Sequence, residues 1–161
     1  MIRSDFTHQE YEPQDFLRLL EHRIRKEIRQ YDLLSPKKSY RLEEENSLQS
    51  KVLTSFLQRI FQGRLDLLGT ELIKTDYLEL FLSKQLSVFL EGTAAKTLLE
   101  TAPAPLRCIT EQEMREAARL LELEGTFEPV KQEIIDALAQ KYPQTKPSFL
   151  KSFVHIQTLK Q

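Results

Sequence analysis

The stretch Lys38–Ile60, KSYRLEEENSLQSKVLTSFLQRI, reads as a short strand, a polar turn and an apolar-faced helix. Tyr40 and Leu42 mark the strand. Val52, Leu53, Phe56, Leu57 and Ile60 recur at helical spacing, and Gly63 closes the helix. In nucleotide-binding α/β proteins a turn in this position cradles phosphate on the backbone amides of the helix start. The turn here is Glu43-Glu44-Glu45-Asn46-Ser47, with no glycine and no lysine. A carboxylate about 5 Å from a phosphate oxygen, at an effective dielectric of about 20, costs roughly 3 kcal/mol before screening. The helix dipole returns only about 0.3 to 1 kcal/mol at an exposed site. Repulsion wins, so the stretch has the frame of a phosphate site without its chemistry.

Toward the N-terminus, residues 1–12 are polar and read as a flexible lead-in. Pro13 suits the first turn of a helix. Phe16, Leu17, Leu20, Ile24, Ile28 and Tyr31 then define an amphipathic helix from Pro13 to about Tyr31, ended by Ser35-Pro36. Its other face holds Arg18, Arg23, Arg25, Lys26 and Arg29. Toward the C-terminus, Leu65 to Leu68 is a short apolar run before Gly69 and reads as a buried strand. Thr75 or Asp76 caps a third helix carrying Tyr77, Leu78, Phe81, Leu82, Leu86 and Phe89, apolar around much of its circumference and therefore central to the core. Gly92 ends it, and Thr93 to Thr101 adds a short helix. After the hinge-like Ala102-Pro103-Ala104-Pro105, Leu106 to Ile109 reads as another strand. Thr110-Glu111-Gln112-Glu113 has the form of a capping box, opening a helix that Gly125 ends. Val130 to Pro143 and the segment from Pro147, with Phe149, Leu150, Phe153 and Ile156 inward, form a helical tail over residues 130–161.

With 161 residues, residues 13–161 are most simply one domain with a proper core. Charged residues are 29% and hydrophobics 40%, as in an ordinary soluble globular protein. A net charge of −1 supplies no global attraction to nucleic acid or acidic membrane, so any such contact has to be local. The single cysteine excludes an internal disulfide and a cysteine-cluster metal site within one chain. No apolar run approaches the roughly 20 residues of a membrane span, and MIRSDFTHQEYEP lacks the apolar core of a secretory signal. The expectation is a cytoplasmic protein.

Several stretches, in order, resemble the tRNA 2-thiocytidine biosynthesis family of PP-loop ATP-utilising enzymes. LEHRIRKEIRQYDLL (20–34) is similar to the basic helix before the family's nucleotide loop, and SKVLTSFLQRI (50–60) to the helix after it. DYLELFLSKQLSVFLEG (76–92), APLRCITEQEMREAARL (104–120) and VKQEIIDALAQKYPQTKPSFLKSFVHI (130–156) are similar to its later helices and tail. The resemblance implies a helix-rich α/β fold. It would be a reduced PP-loop, adenine nucleotide alpha hydrolase-like parallel sheet with covering helices, with a mainly α bundle as the alternative. It also implies ATP-dependent sulfur transfer to a cytidine of tRNA, using ATP, Mg²⁺ and a 4Fe–4S cluster. The departures set expectations of their own. The family's Ser-Gly-Gly-X-Asp-Ser loop aligns with Glu45, Asn46, Ser47, Leu48, Gln49 and Ser50, so Ser50 is the sole match and the one cofactor-binding candidate. The family's cluster-ligating cysteines are absent, and Asp76 is the one remnant of its acidic motif. At least one strand-helix unit is missing. The expectation is a catalytically degenerate protein with no catalytic residue, no metal and no cofactor.

Arg18, Arg23, Arg25, Lys26 and Arg29 are the RNA-binding candidates, suited to phosphate contact. The competing reading is a solvated face laced with Glu21 and Glu27. Glu43 to Glu45 fit a solvated acidic turn better than a metal or acid/base cluster, because no histidine or second carboxylate pair is placed to complete one. Cys108 fits a small buried hydrophobe better than a nucleophile. His8, His22 and His155 are scattered without ligand spacing. Two functions follow: a divergent tRNA-thiolation protein without ATP-dependent catalysis, or a non-catalytic module that binds tRNA or a protein partner.

Overall fold

The computed structural model describes residues 1–90, 102–127, 136–137, 140–142 and 144–158. It is a helix-rich α/β protein. Strand β3 (Ser39–Leu42), helix α2 (Leu48–Phe61) and strand β4 (Asp66–Ile73) form a parallel strand–helix–strand unit. Helix α1 (Pro13–Gln30) precedes it. Helix α3 (Leu78–Leu90), a 3₁₀ turn (Pro105–Cys108), helix α4 (Glu111–Leu120) and helix α5 (Thr145–Thr158) follow. A parallel pair needs a crossover between its strands, and α2 supplies it. Val52, Leu53, Phe56 and Leu57, all fully buried, are the face by which α2 packs into the core. The helix stops where Gln62 and Gly63 both take left-handed conformations, φ 52° and 73°, as the glycine signal implies.

The main core joins α1 (Phe16, Leu20, Ile24, Ile28), α2, Tyr40, Ile73, Tyr77, Leu106, Ile109 and the Met114–Ala117–Ala118 face of α4. Truncating one of these fully buried leucines to alanine costs about 2 to 5 kcal/mol by lost burial and the cavity left behind. Helix α3 does not sit at the centre of this core. Its Leu78, Phe81 and Leu82 build a second cluster with Ala104 and Phe153 of α5. In α5, Val154 is also buried, while Phe149 and Leu150 pack on the cluster's margin.

Further sequence expectations are corrected. Residues 1–12 are not loose: β1 (Ile2–Arg3) and β2 (Glu10–Tyr11) form a small antiparallel hairpin. Ser4 at its turn is fully buried and donates to Glu113 of α4 at 2.7 Å. Leu106–Ile109 is not a strand, because Pro105 opens a 3₁₀ turn that Ile109 N–H closes onto the Leu106 carbonyl at 2.9 Å. The run Leu65–Leu68 leads into a strand as expected, but it is not buried: Leu65 and Leu67 pack only half-buried against the core. Strand β4 runs on to Ile73, and its register against β3 jumps from Ser39↔Asp66 to Tyr40↔Glu71. Four β4 residues fall between these two pairings, and among them Leu68 is 97% exposed. There a side chain on Gly69 would sit 2.3 Å from Ser39, so only glycine fits the close approach. Helix α3 begins at Leu78, past Thr75 and Asp76, and the Leu78 N–H is taken by the Ile109 carbonyl at 2.8 Å.

The capping box is present in full: Thr110 accepts from the Glu113 amide, and the Glu113 carboxylate accepts from the Thr110 amide. Helix α4 ends before Gly125, because Glu122 turns left-handed at φ 53°. The short helix expected at residues 93–101 lies outside the described residues, as does most of that expected at 130–143.

Candidate functional site

Strand β3 delivers the chain to the turn 43–47, and α2 starts directly behind it. This is the position where a phosphate-binding loop would stand. A helix start offers its first amides to a ligand only if nothing in the protein has taken them. Here the Leu48 N–H donates to the Thr126 carbonyl at 2.8 Å, and the Thr126 N–H donates back to Asn46 at 3.3 Å. Ser47 caps the helix by accepting from the Ser50 N–H at 3.2 Å. Lys51 N–H bonds the Ser47 carbonyl at 3.2 Å, and the Lys51 ammonium donates to the Glu124 carbonyl. The segment 124–126 thus lies across the helix start, bridged in parallel to Ser47. Gly125 makes that approach possible. A Cβ there would meet the Leu48 nitrogen at 2.7 Å and the Asn46 carbonyl at 3.0 Å.

Ser50 is fully buried. Its hydroxyl donates to the Glu44 carbonyl and lies 2.9 Å from the Ser47 hydroxyl. Both polar groups of this residue are engaged inside the turn. Glu43, Glu44 and Glu45 are exposed around it. Asp76 is buried and held by Lys84 at 2.6 Å, and Glu43 reaches the same ammonium at 4.0 Å. Among the described residues, no group of three or more His, Cys, Asp or Glu side chains is arranged to hold a metal ion.

The basic residues of α1 divide into two sets. Arg23 points inward. Its guanidinium forks onto Glu113 at 2.7 and 2.8 Å, donates to Ser4 at 3.0 Å, and lies 4.6 Å from the centre of the Phe6 ring. It is a structural residue that pins the N-terminal hairpin to α4. Arg18, Arg25, Lys26 and Arg29 lie on the outer face, at the i, i+7, i+8 and i+11 positions of one stripe, with exposed His22 among them. Arg18 pairs with Asp15 at 3.3 Å and Arg25 with Glu21 at 2.6 Å. Both pairs are solvent-reached and weak, on the order of 0.3 to 0.5 kcal/mol, so a polyanion can displace them.

Two further buried groups escaped the sequence reading because their partners are remote. Arg107 bonds Glu27 at 2.7 Å and stacks over Tyr31 and Phe81 at 5.0 and 5.4 Å. Glu79 accepts from the Glu111 amide at 2.7 Å and from Lys146 at 3.0 Å, and burial raises its pKa. Cys108 is buried, and the same desolvation, reinforced by Glu27, pushes its thiol far up. A thiol so placed is a packing residue and not a nucleophile. Among the described residues, no helix is long and apolar enough to cross a membrane. No family model matches the chain, and no curated protein matches it.

Proposed function

We propose that this chain is a non-catalytic, divergent relative of the tRNA 2-thiolation enzymes that binds tRNA through the outer face of α1. The observation that carries the non-catalytic half is the occupied start of α2. There the Leu48 amide is taken by Thr126 and the Ser50 amide by Ser47, where a PP-loop would present them to ATP. The RNA half is supported by the stripe of Arg18, Arg25, Lys26 and Arg29, which faces solvent while Arg23 and Glu27 are committed inside. The ordered resemblance along the sequence supplies tRNA as the RNA class.

Phosphate contacts release counterions, so binding weakens with salt by a log–log slope of about −0.7 to −0.9 per contact. Three contacts along this stripe give roughly a 20- to 40-fold loss of tRNA affinity between 50 and 200 mM salt. Filter binding of a tRNA transcript to the purified chain tests this, with an Arg25→Ala, Lys26→Ala, Arg29→Ala variant beside it. The variant is expected to bind weakly with a flattened slope. Absence of binding at 50 mM salt, or undiminished binding by the variant, contradicts the RNA half. ATP-dependent thiolation of tRNA by the purified chain contradicts the non-catalytic half.

A further inference from the structure

The C-terminal ends of α1 and α2 converge on an open cleft of about 430 Å³. Its floor is apolar, made by Ile28, Leu34, Ile60 and Phe61, and its rim carries Arg25, Arg29 and Asp32. The volume is within the roughly 300 to 1,000 Å³ range of small-ligand sites. The charge of the rim defines the ligand. Two guanidinium charges are opposed by the Asp32 carboxylate and by the negative ends of two helices, each worth about half a charge. The interior of the cleft is therefore close to neutral and holds a phosphate less well than the open outer face of α1 does. What it offers is an apolar floor that includes the Phe61 ring, with donors and an acceptor around it. Arg29 has no partner among the described residues, whereas Arg25 is paired with Glu21 at 2.6 Å.

We propose that this cleft takes one unstacked guanine of a single-stranded RNA segment whose phosphates run along the α1 stripe; the proposal rests on the RNA-binding reading above and specifies it. Guanine is the standard base with two adjacent donors on one edge, N1–H and N2–H, for a carboxylate, and two acceptors on another, O6 and N7, for a guanidinium. Asp32 accepts the first pair, and Arg29 donates to the second, which leaves Arg18, Arg25 and Lys26 for the phosphates. Ile60 and Phe61 give the ring its apolar contact, as single-stranded RNA bases are held on flat side chains. Adenine presents an amino donor and no adjacent second one, and uracil and cytosine offer less area to the floor.

The test uses the full chain and four fluorescent RNA hexamers, uridine-rich and differing only in whether one central position is G, A, C or U. The G hexamer is expected to bind roughly 5- to 100-fold more tightly than the A hexamer. Asp32→Asn is expected to abolish that preference while leaving the salt dependence intact. The substitution keeps the backbone, since Asp32 sits at φ 47° and asparagine accepts that conformation as readily as aspartate. Equal affinity for all four hexamers with a normal salt slope overturns the guanine site and leaves RNA binding standing. No binding of any hexamer or of tRNA at 50 mM salt overturns both. A preference for G that survives Asp32→Asn places the recognition outside the cleft and overturns the proposal.

Discussion

Replacing Glu113 with alanine removes the group on which the N-terminal hairpin, α1 and α4 all converge. The Glu113 side chain is 1% exposed and that of Arg23 16%. The carboxylate accepts from both Arg23 terminal nitrogens, the Ser4 hydroxyl, the Asp5 amide and the Thr110 amide. Breaking a buried pair from one side leaves the other charge without compensation, typically about 3 to 5 kcal/mol. The slight exposure of Arg23 moves this toward the lower value. The Thr110 amide, now buried and unmet, adds part of another 1 to 3 kcal/mol. These losses share one network and do not simply add, so the working figure is about 4 kcal/mol. That is a large fraction of a typical domain stability of about 5 to 15 kcal/mol. With a urea dependence of about 2 kcal/mol per molar, the midpoint falls by about 2 M. Arg18→Ala, at a side chain 76% exposed, is expected within about 0.5 kcal/mol of the unmodified chain. A double-mutant cycle with Arg23→Ala isolates the pair, since the doubly substituted chain is expected to lose less than the sum of the single losses. A Glu113→Ala loss below about 1 kcal/mol, or a coupling near zero, refutes the inward assignment of Arg23.

Gly125→Ala forces a Cβ to within 2.7 Å of the Leu48 nitrogen and 2.9 Å of its Cα, both backbone atoms with little room to yield. The expected outcome is a loss of about 1 to 3 kcal/mol and faster hydrogen exchange at the Leu48 and Thr126 amides; unchanged exchange there contradicts the closed helix start. Cys108, buried with its pKa raised by desolvation, is expected to resist a disulfide-exchange reagent at pH 8 until the protein is unfolded in denaturant. Fast reaction of the folded protein contradicts its packing role. Glu79 has its pKa raised by burial, so the folded state holds its proton more tightly than the unfolded chain. Stability contributed by this group is then complete at acid pH and is lost as pH rises through the raised pKa. Glu79→Gln removes that dependence, so the variant is expected to gain stability relative to the unmodified protein as pH rises from about 4 to about 7. A relative loss over the same range, read from urea midpoints, contradicts the assigned direction.

The elements set by local signals were legible in the sequence. Pro13 and the spacing of Phe16, Leu20, Ile24 and Ile28 place α1, and the capping box at Thr110 places the start of α4. The features that depend on remote partners were not. The hairpin at the N-terminus is fixed by Glu113, 109 residues from Ser4, and nothing in MIRSDFTHQEYEP announces that. The run Leu106–Ile109 is too short for periodicity to separate a strand from a tight helical turn. The exposure of Leu68 follows from a register jump that the apolar run does not encode. In the candidate site, the outer positions of Arg18, Arg25, Lys26 and Arg29 follow from helical spacing. Arg23 sits at the border of the apolar face, and only the position of α4 draws it inward. The closure of the α2 start requires Thr126, a residue with no sequence signal linking it to Leu48.

The proposed function requires an α2 start closed to nucleotide and an α1 stripe open to RNA. Amide-resolved NMR of the intact chain, titrated first with MgATP and then with tRNA, tests both parts in one sample. The expected result is no saturable change at residues 43–50 with millimolar MgATP, followed by shifts and broadening along Arg18–Arg29 when tRNA is added. Saturable shifts of Leu48, Gln49 and Ser50 with MgATP, or a silent α1 in the presence of tRNA, contradict the account.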